Sequence, residues 1–284
     1  MEIVPTNAAL GASIHGLDIS RPIADDLFAS VLDAFHRHQV LVFKNQDVSP
    51  EAQIAFSCRF GVLEDQLNAR FTLPEHPEVL ILSNDMKDGQ PVGVIDGGDY
   101  WHSDSSHRDL PSMATVLFSV KNPDRGGDTE FANMYAAYDA LSDEMKSRLT
   151  GLRAIHAVSK LRNKRVTVSP RRPDAYETYT RQNSVPDVIH PIVRTHPATG
   201  RKALFISERF TIGIEGMDES DADPILDELF AHQISREFVY RHKWDDGDLV
   251  IWDNRCVMHR AMGGYRYPDV RRMHRTVVQG DTPF

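Results

Sequence analysis

Between residues 25 and 38 the apolar positions Leu27, Phe28, Val31, Leu32 and Phe35 recur at helical spacing, which predicts a helix with one buried face. Residues 40–43, Val-Leu-Val-Phe, form an unbroken apolar run suited to a buried strand. Ser49, Pro50 and Glu51 then supply an N-cap, a first-turn proline and an acidic first turn, predicting a helix that reaches Phe60 and stops at Gly61. Residues 78–83 and 114–120 read as strands, while Asn133 and Ser142 read as caps of two short helices, the second ending at Gly151.

The pattern breaks over residues 160–186. Apolar periodicity vanishes there and Arg162, Lys164, Arg165, Arg171, Arg172 and Arg181 accumulate, so this stretch is expected to be a surface excursion, a loop or a lid, not core. Residues 189–195 and 202–207 flank Pro197-Ala198-Thr199-Gly200 and predict a hairpin. Residues 218–235 read as an amphipathic helix, and residues 238–243, 249–252 and 275–278 as closing strands. Many short strands with a few flanking helices predict a mainly β fold of the jelly-roll type, which can hold a small ligand between its two sheets. One domain over residues 1–284 is the economical division.

Composition narrows the function. A net charge of −9 works against nonspecific nucleic-acid binding, which draws its affinity from neutralised phosphates. No apolar run is long enough to span a bilayer, and the N-terminal residues lack the basic-then-apolar order of a secretory signal. A cytoplasmic address without membrane attachment is therefore expected. Cys58 and Cys256 are the two cysteines, too few for a disulfide framework or thiolate cluster, and both are expected to be reduced core residues. Neither pattern nor charge decides the number of copies, so a homo-oligomer stays open.

The chemistry lies in two separated segments, Trp101-His102-Ser103-Asp104 and Trp252-Asp253-Asn254-Arg255-Cys256-Val257-Met258-His259. On an extended strand His102 and Asp104 would point to one side. With His259 as third ligand they would form the two-histidine, one-carboxylate face of non-haem Fe(II) oxygenases, whose open positions receive a cosubstrate and O2. Thirteen histidines make an H-x-D pair weak by itself. Arg271 and Arg275, twelve and sixteen residues after His259, strengthen it: a cosubstrate that chelates iron at one end needs its far carboxylate held by a planar bidentate donor. On an extended segment the two arginines share a side. By the same parity His107 is expected to face away or to line the pocket mouth, and His274 to point away from Arg275, both in structural roles. Asp253 is read as a turn residue, and Trp101, Trp244 and Trp252 mainly as core packing.

Four segments, WHSDSSH at 101–107, GGDTEFANMYAAYDAL at 126–141, REFVYRHKWDDGDLVIWDNRCVMHRA at 236–261 and RRMHRT at 271–276, resemble the taurine/2,4-dichlorophenoxyacetate dioxygenase family. These are Fe(II)- and 2-oxoglutarate-dependent oxygenases built on a double-stranded β-helix. The resemblance implies that His102, Asp104 and His259 are the iron ligands and that Thr129 and Arg271 bind the distal carboxylate of 2-oxoglutarate. It places Arg275 beside the cosubstrate, as a contact to 2-oxoglutarate, to the substrate's acidic group, or to both. Iron, 2-oxoglutarate and O2 are thus the implied cofactor and cosubstrates.

Residues 236–261 resemble the aryloxyacetate-cleaving branch most densely, and Gln66 falls where taurine enzymes carry a sulfonate-binding histidine. The expected substrate is therefore a small organic acid, aryloxyalkanoate-like, whose hydroxylation could end in ether cleavage. Arg275, Ser105 and Gln66 are its candidate contacts. Three alternatives stand beside this reading: a sulfonate or sulfate-ester dioxygenase of the same family, a zinc-dependent hydrolase or isomerase, and a noncatalytic metal-binding jelly roll.

Overall fold

The computed structural model describes residues 1–65, 69–95, 98–158 and 185–284. Gln66 and the basic stretch, apart from its last two residues, lie outside the described residues. An eight-stranded sheet forms the base, in the order Glu2–Pro5, Ala12–His15, Val40–Phe43, Leu249–Asp253, Ser112–Lys121, Arg272–Gln279, His76–Ser83 and Thr72–Leu73. Facing it is a three-stranded antiparallel sheet in which Thr129–Asn133 pairs with Val239–His242 on one side and Val257–Ala261 on the other. A second three-stranded sheet pairs Arg153–His156 with Val188–Pro191 and Thr211–Ile214.

Both faces of the large sheet are covered, and this explains the unbroken apolar run at its centre. Val40 and Val42 point into one hydrophobic cluster with Leu117, Val250, Phe131 and Val257, which fills the space between the sheets. Leu41 and Phe43 point the other way, into a cluster with Val116, Ile251, Val31 and Phe35. The period of two thus sends alternate residues of one strand into two different cores. Helix Asp25–His38 covers the outer core with Phe28, Val31, Ala34 and Phe35 and ends at Gln39, whose φ of 63° is left-handed. Truncating Phe35, which is fully buried, to alanine costs about 3–5 kcal/mol. Helix Pro50–Cys58 adds Phe56 to the same core, and its Ser49 Oγ accepts from the Ala52 amide as the cap motif requires.

Several expectations need correction. The two N-terminal strands were not legible: Glu2–Pro5 is exposed throughout, so no burial alternation marks it. The expected hairpin over 189–195 and 202–207 divides. Val193–Thr195 pairs with Lys202–Leu204, but Val188–Pro191 turns to Arg153–His156 instead. Cys58 is exposed at the end of its helix, whereas Cys256 is buried, and both are free. Among the described residues no helix is long and apolar enough to cross a membrane.

Candidate active site

His259 sits in Val257–Ala261, an edge strand of the smaller sheet. His102 meets its open edge through a reciprocal pair of backbone bonds, His102 N–H donating to His259 O at 3.0 Å and His259 N–H to His102 O at 2.8 Å, and further along the edge the Ala261 amide donates to Gly98 O at 2.7 Å. Directly opposed residues of an antiparallel bridge project to the same side, and the two imidazoles lie 4.2 Å apart between centroids. His102 therefore owes its position to a single bridge and not to the regular strand expected for the H-x-D pair. Asp104 stands at the start of a turn, where Asn254 Oδ1 accepts from its amide at 3.2 Å and Thr115 Oγ1 donates to its Oδ2 at 2.6 Å. Thr115 belongs to the large sheet, so the site bridges the two layers. Gly98 lies over His102 with φ of 80°, and a Cβ there would come within 2.5 Å of His102 Cε1, which only glycine avoids.

His102 Nε2 lies 3.6 Å from Asp104 Oδ1 and His259 Nε2 3.9 Å from Asp104 Oδ2, with the residues 7%, 8% and 7% exposed for His102, His259 and Asp104. The three ligand atoms lie within 4.8 Å of one another. His102 Nδ1 bonds the carbonyl of Tyr100 at 2.8 Å; a carbonyl only accepts, so the proton is on Nδ1 and Nε2 presents its lone pair. Burial and the neighbouring His102 pull the pKa of His259 down to about 3, leaving it neutral. Burial alone would raise the Asp104 pKa, but His259, the His102 hydrogen bond and Arg275 outweigh it and hold the carboxyl well below its usual range. Two imidazoles and a carboxylate thus converge on one dry point. That donor set fits a divalent metal of the iron type.

A cavity of about 270 Å³ opens beside these ligands, lined among others by Thr129, Arg271, Arg275, Ser105, His107 and Phe210. Thr129 Oγ1 accepts from Trp244 Nε1 at 3.0 Å, which leaves its own hydroxyl proton to donate. Arg271, 6% exposed, is held by Nε donating to Gly127 O at 3.1 Å and lies 5.8 Å from the Trp244 ring. Gly127 has φ of 76° and a Cβ on it would press to 3.1 Å of Arg271 Cδ, so the glycine makes room for the arginine. Burial lowers the Arg271 pKa, and a buried cation of this kind is best satisfied by an anion. Arg271, Met273, Arg275 and Val277 share the inward face of their segment, so the period-of-two reading of the arginines holds. Arg275 Nη1 reaches to 3.8 Å of Asp104 Oδ1.

His274 points to the opposite face, as its parity requires, with its backbone carbonyl taken by Gln53 Nε2 at 3.0 Å. His107 lines the cavity, the second of its two expected positions, where Ser105 turns the chain with φ of 56°. Asp253 ends a strand and accepts from the Arg255 amide as a turn residue does, while also pairing with the Arg255 and His196 side chains. Trp252 lines the cavity as well as the core, whereas Trp101 and Trp244 are core members. Pattern reading did not find Thr115, Asn254, Glu64 or Phe210. Asn254 ties the site together by accepting from Trp252 Nε1 at 3.0 Å and donating to Thr115 Oγ1 at 3.0 Å. Its signal was a polar residue inside an otherwise buried W-D-N sequence. Glu64 is held by Arg108 at 2.8 Å and Ser112 at 2.6 Å, its pKa raised by burial.

Residues 2–277 match the sequence profile of the family described as "Taurine catabolism dioxygenase TauD, TfdA family". The chain belongs to this family and is a 2-oxoglutarate-dependent, non-haem iron dioxygenase that uses O2. It is 37% identical over 273 residues to the alpha-ketoglutarate-dependent 2,4-dichlorophenoxyacetate dioxygenase of Cupriavidus pinatubonensis, covering 93% of this chain and 91% of that protein. Among solved structures, AAD-2 in complex with Mn(II) and N-oxalylglycine superposes with a TM-score of 0.81 at 32% identity, covering 99% of each chain. A taurine dioxygenase from Burkholderia xenovorans superposes with a TM-score of 0.83 at 29% identity, covering 99% of this chain and 90% of that one.

Proposed function

We propose that this dioxygenase hydroxylates a small organic acid of the aryloxyalkanoate type, with His102, Asp104 and His259 as the iron ligands. The observation that carries the ligand assignment is the convergence of three buried potential ligand side chains beside a cavity that also holds Thr129 and Arg271. Fe(II) held there supplies O2 activation coupled to decarboxylation of 2-oxoglutarate to succinate and CO2. The Tyr100 carbonyl and the Thr115 hydroxyl fix the orientation of His102 and Asp104, so the ligand geometry is set before anything binds. Thr129 and Arg271 bind the distal carboxylate of 2-oxoglutarate, one through a hydroxyl proton and the other through its guanidinium, which Gly127 holds by Nε.

The substrate's acid group goes to Arg275, and its apolar body to the wall made by Leu80, Leu117, Val277 and Phe210. That arrangement holds one C–H bond toward the iron while the rest of the molecule is gripped by surface that excludes water. Where the hydroxylated carbon carries an ether oxygen, the product collapses to a phenol and an oxoacid. Ser105, which lines the cavity, is a further contact, and Gln66 is another by its position in the sequence. The aryloxyalkanoate reading is supported by the 37% identity to the dichlorophenoxyacetate enzyme. A sulfonate substrate is the second reading, favoured by the close superposition on the taurine dioxygenase. Two free cysteines and a dependence on Fe(II) suit a reducing cytoplasm.

Succinate formation under Fe(II), ascorbate and O2, with phenoxyacetates and taurine compared at equal concentration, tests the reading. Stronger stimulation by a phenoxyacetate is expected, and a taurine preference would reverse the substrate assignment. A metal-binding protein without turnover, or a zinc hydrolase, would form no succinate with any acid.

A further inference from the structure

His107 is a cavity-lining side chain that the dioxygenase chemistry leaves unused. His107 lines the cavity, and its Nδ1 is shut off from solvent with no hydrogen-bond partner, which leaves Nε2 as the ring nitrogen open to a partner. A buried N–H without an acceptor is rarer and costlier than a buried acceptor without a donor. The proton of the neutral ring therefore belongs on Nε2, where it can find a partner in the cavity. Burial, reinforced by Arg108 and Arg209, pulls the ring's pKa down to about 4, so at neutral pH it is an uncharged donor and not a second anion anchor.

The ring's position says which part of a substrate it would meet. Phe210 neighbours both the metal site and His107, with its ring 6.1 Å from His102 and 5.0 Å from His107 between centroids. A flat substrate body lying on Phe210 would have its reacting end near His102 and its remote end at His107. Arg108, another donor that lines the cavity, is committed to Glu64 at 2.8 Å, and Arg209, over the Phe210 ring, donates to Val158 O at 3.0 Å.

We infer that His107 is a specificity-determining residue that donates a hydrogen bond from Nε2 to an uncharged acceptor oxygen on the substrate's remote end. The substrate class narrows accordingly, to an organic acid that carries a second oxygen function, such as a ketone or an ether, away from its carboxylate. The inference rests on the dioxygenase reading above and refines its substrate.

The test uses matched pairs that differ only in the acceptor: 3- or 4-acetylphenoxyacetate against the isopropyl analogue of the same shape. In the wild-type enzyme kcat/KM favours the acetyl compound of one pair, and in His107→Phe that preference falls roughly tenfold, the value of one neutral hydrogen bond. His107→Gln, which keeps an N–H donor, restores part of the preference, while the KM for 2-oxoglutarate stays put in both variants. An acetyl-to-isopropyl ratio that is the same in wild type and His107→Phe overturns the inference even though the enzyme turns over phenoxyacetates. Nitrogen-15 spectra of the Zn(II)-loaded protein, with His107 assigned by loss of its signals in His107→Phe, give a readout independent of turnover. A proton on Nε2 and a bare Nδ1 at neutral pH are expected; a proton on Nδ1 overturns the inference. Should no phenoxyacetate form succinate, the aryloxyalkanoate reading falls, and the tautomer still decides whether His107 offers the donor.

Discussion

Two buried clusters in this protein have nearly the same composition and opposite meanings. His102, Asp104 and His259 form one; His196, Asp253 and Cys256 form the other, and in each the potential ligand atoms lie within 4.8 Å. In the second, every partner is assigned. Asp253 receives Arg255 Nε at 2.8 Å and Nη2 at 2.7 Å, while His196 Nδ1 accepts from the amides of Ala198 and Thr199 and its Nε2 donates to Asp253 at 3.0 Å. Burial raises the Cys256 thiol well above its ordinary pKa, so no thiolate is available to a metal. In the first cluster the hydrogen bonds of His102 and Asp104 run outward, to Tyr100 and from Thr115, and Nε2 of His102 faces inward with its lone pair. Residue type alone does not separate a ligand set from a structural network; the direction of each hydrogen bond does.

The sharpest way to break this contrast is to remove one carboxylate from each cluster. Asp104→Ala is expected to abolish succinate formation, by more than about a thousandfold, and to abolish stoichiometric iron binding while the protein keeps its melting cooperativity. Asp253→Ala strands Arg255 in the interior and is expected to cost about 3–5 kcal/mol of stability in denaturant titrations, with iron binding by the folded fraction retained. Full activity in Asp104→Ala, or loss of iron without loss of stability in Asp253→Ala, would invert the roles of the two clusters.

Metal linkage sharpens the same contrast at smaller magnitude. Co(II) at a hundredfold excess over its Kd is expected to stabilise wild type by about 2.7 kcal/mol, seen as a raised Tm. The gain disappears in His259→Ala and survives in His196→Ala. A Co(II)-dependent rise in His259→Ala would place the metal elsewhere.

The arginines separate cosubstrate from substrate. Arg271→Lys is expected to raise the KM for 2-oxoglutarate roughly tenfold, because a point charge replaces a bidentate fork. Arg275→Ala acts mainly on the KM of the organic acid. If Arg271→Lys leaves the 2-oxoglutarate KM alone, the carboxylate is held by other groups.

A separate effect, outside both clusters, concerns a buried histidine. His156 is fully buried against Ser106, His190 and Phe205, and burial with the nearby His190 pulls its pKa to about 3. A folded-state pKa below the unfolded value of about 6.5 means that the unfolded chain takes up the proton first. Its share of stability is thus intact above pH 6.5, falls by up to about 1.4 kcal/mol per pH unit below it, and levels off near the folded pKa. Replacing His156 with Leu should flatten the stability profile between pH 6 and pH 4; an unchanged slope would mean that the ring is not held neutral.

How far the site was readable varies residue by residue. His102, Asp104 and His259 could be picked from residue type and order, and the period of two brought Arg271 and Arg275 to one face correctly, since their segment is extended. Parity left His107 two positions, facing away or lining the pocket, and the left-handed Ser105 turns the chain so that it lines the pocket. Asn254 and Thr115 were invisible as site residues: one lies in a strand-end sequence and the other within an apolar strand, and only the pairing of strands Leu249–Asp253 and Ser112–Lys121 brings them to Asp104.

The sequence by itself determined the mainly β class, the helix carrying Val31 and Phe35, the capped helix after Ser49, and the residue types able to bind iron and a dicarboxylate. Each of these depends on chemistry carried by neighbouring residues, on periodicity, caps and side-chain functional groups. Tertiary structure alone decided that His102 docks on the open edge of the strand holding His259, that Gly127 clears a path for Arg271, and that His196 and Asp253 close on Arg255 instead of on a metal. The physical reason is that a lone pair's fate depends on which donor reaches it, and those donors arrive from strands and turns far away in the chain.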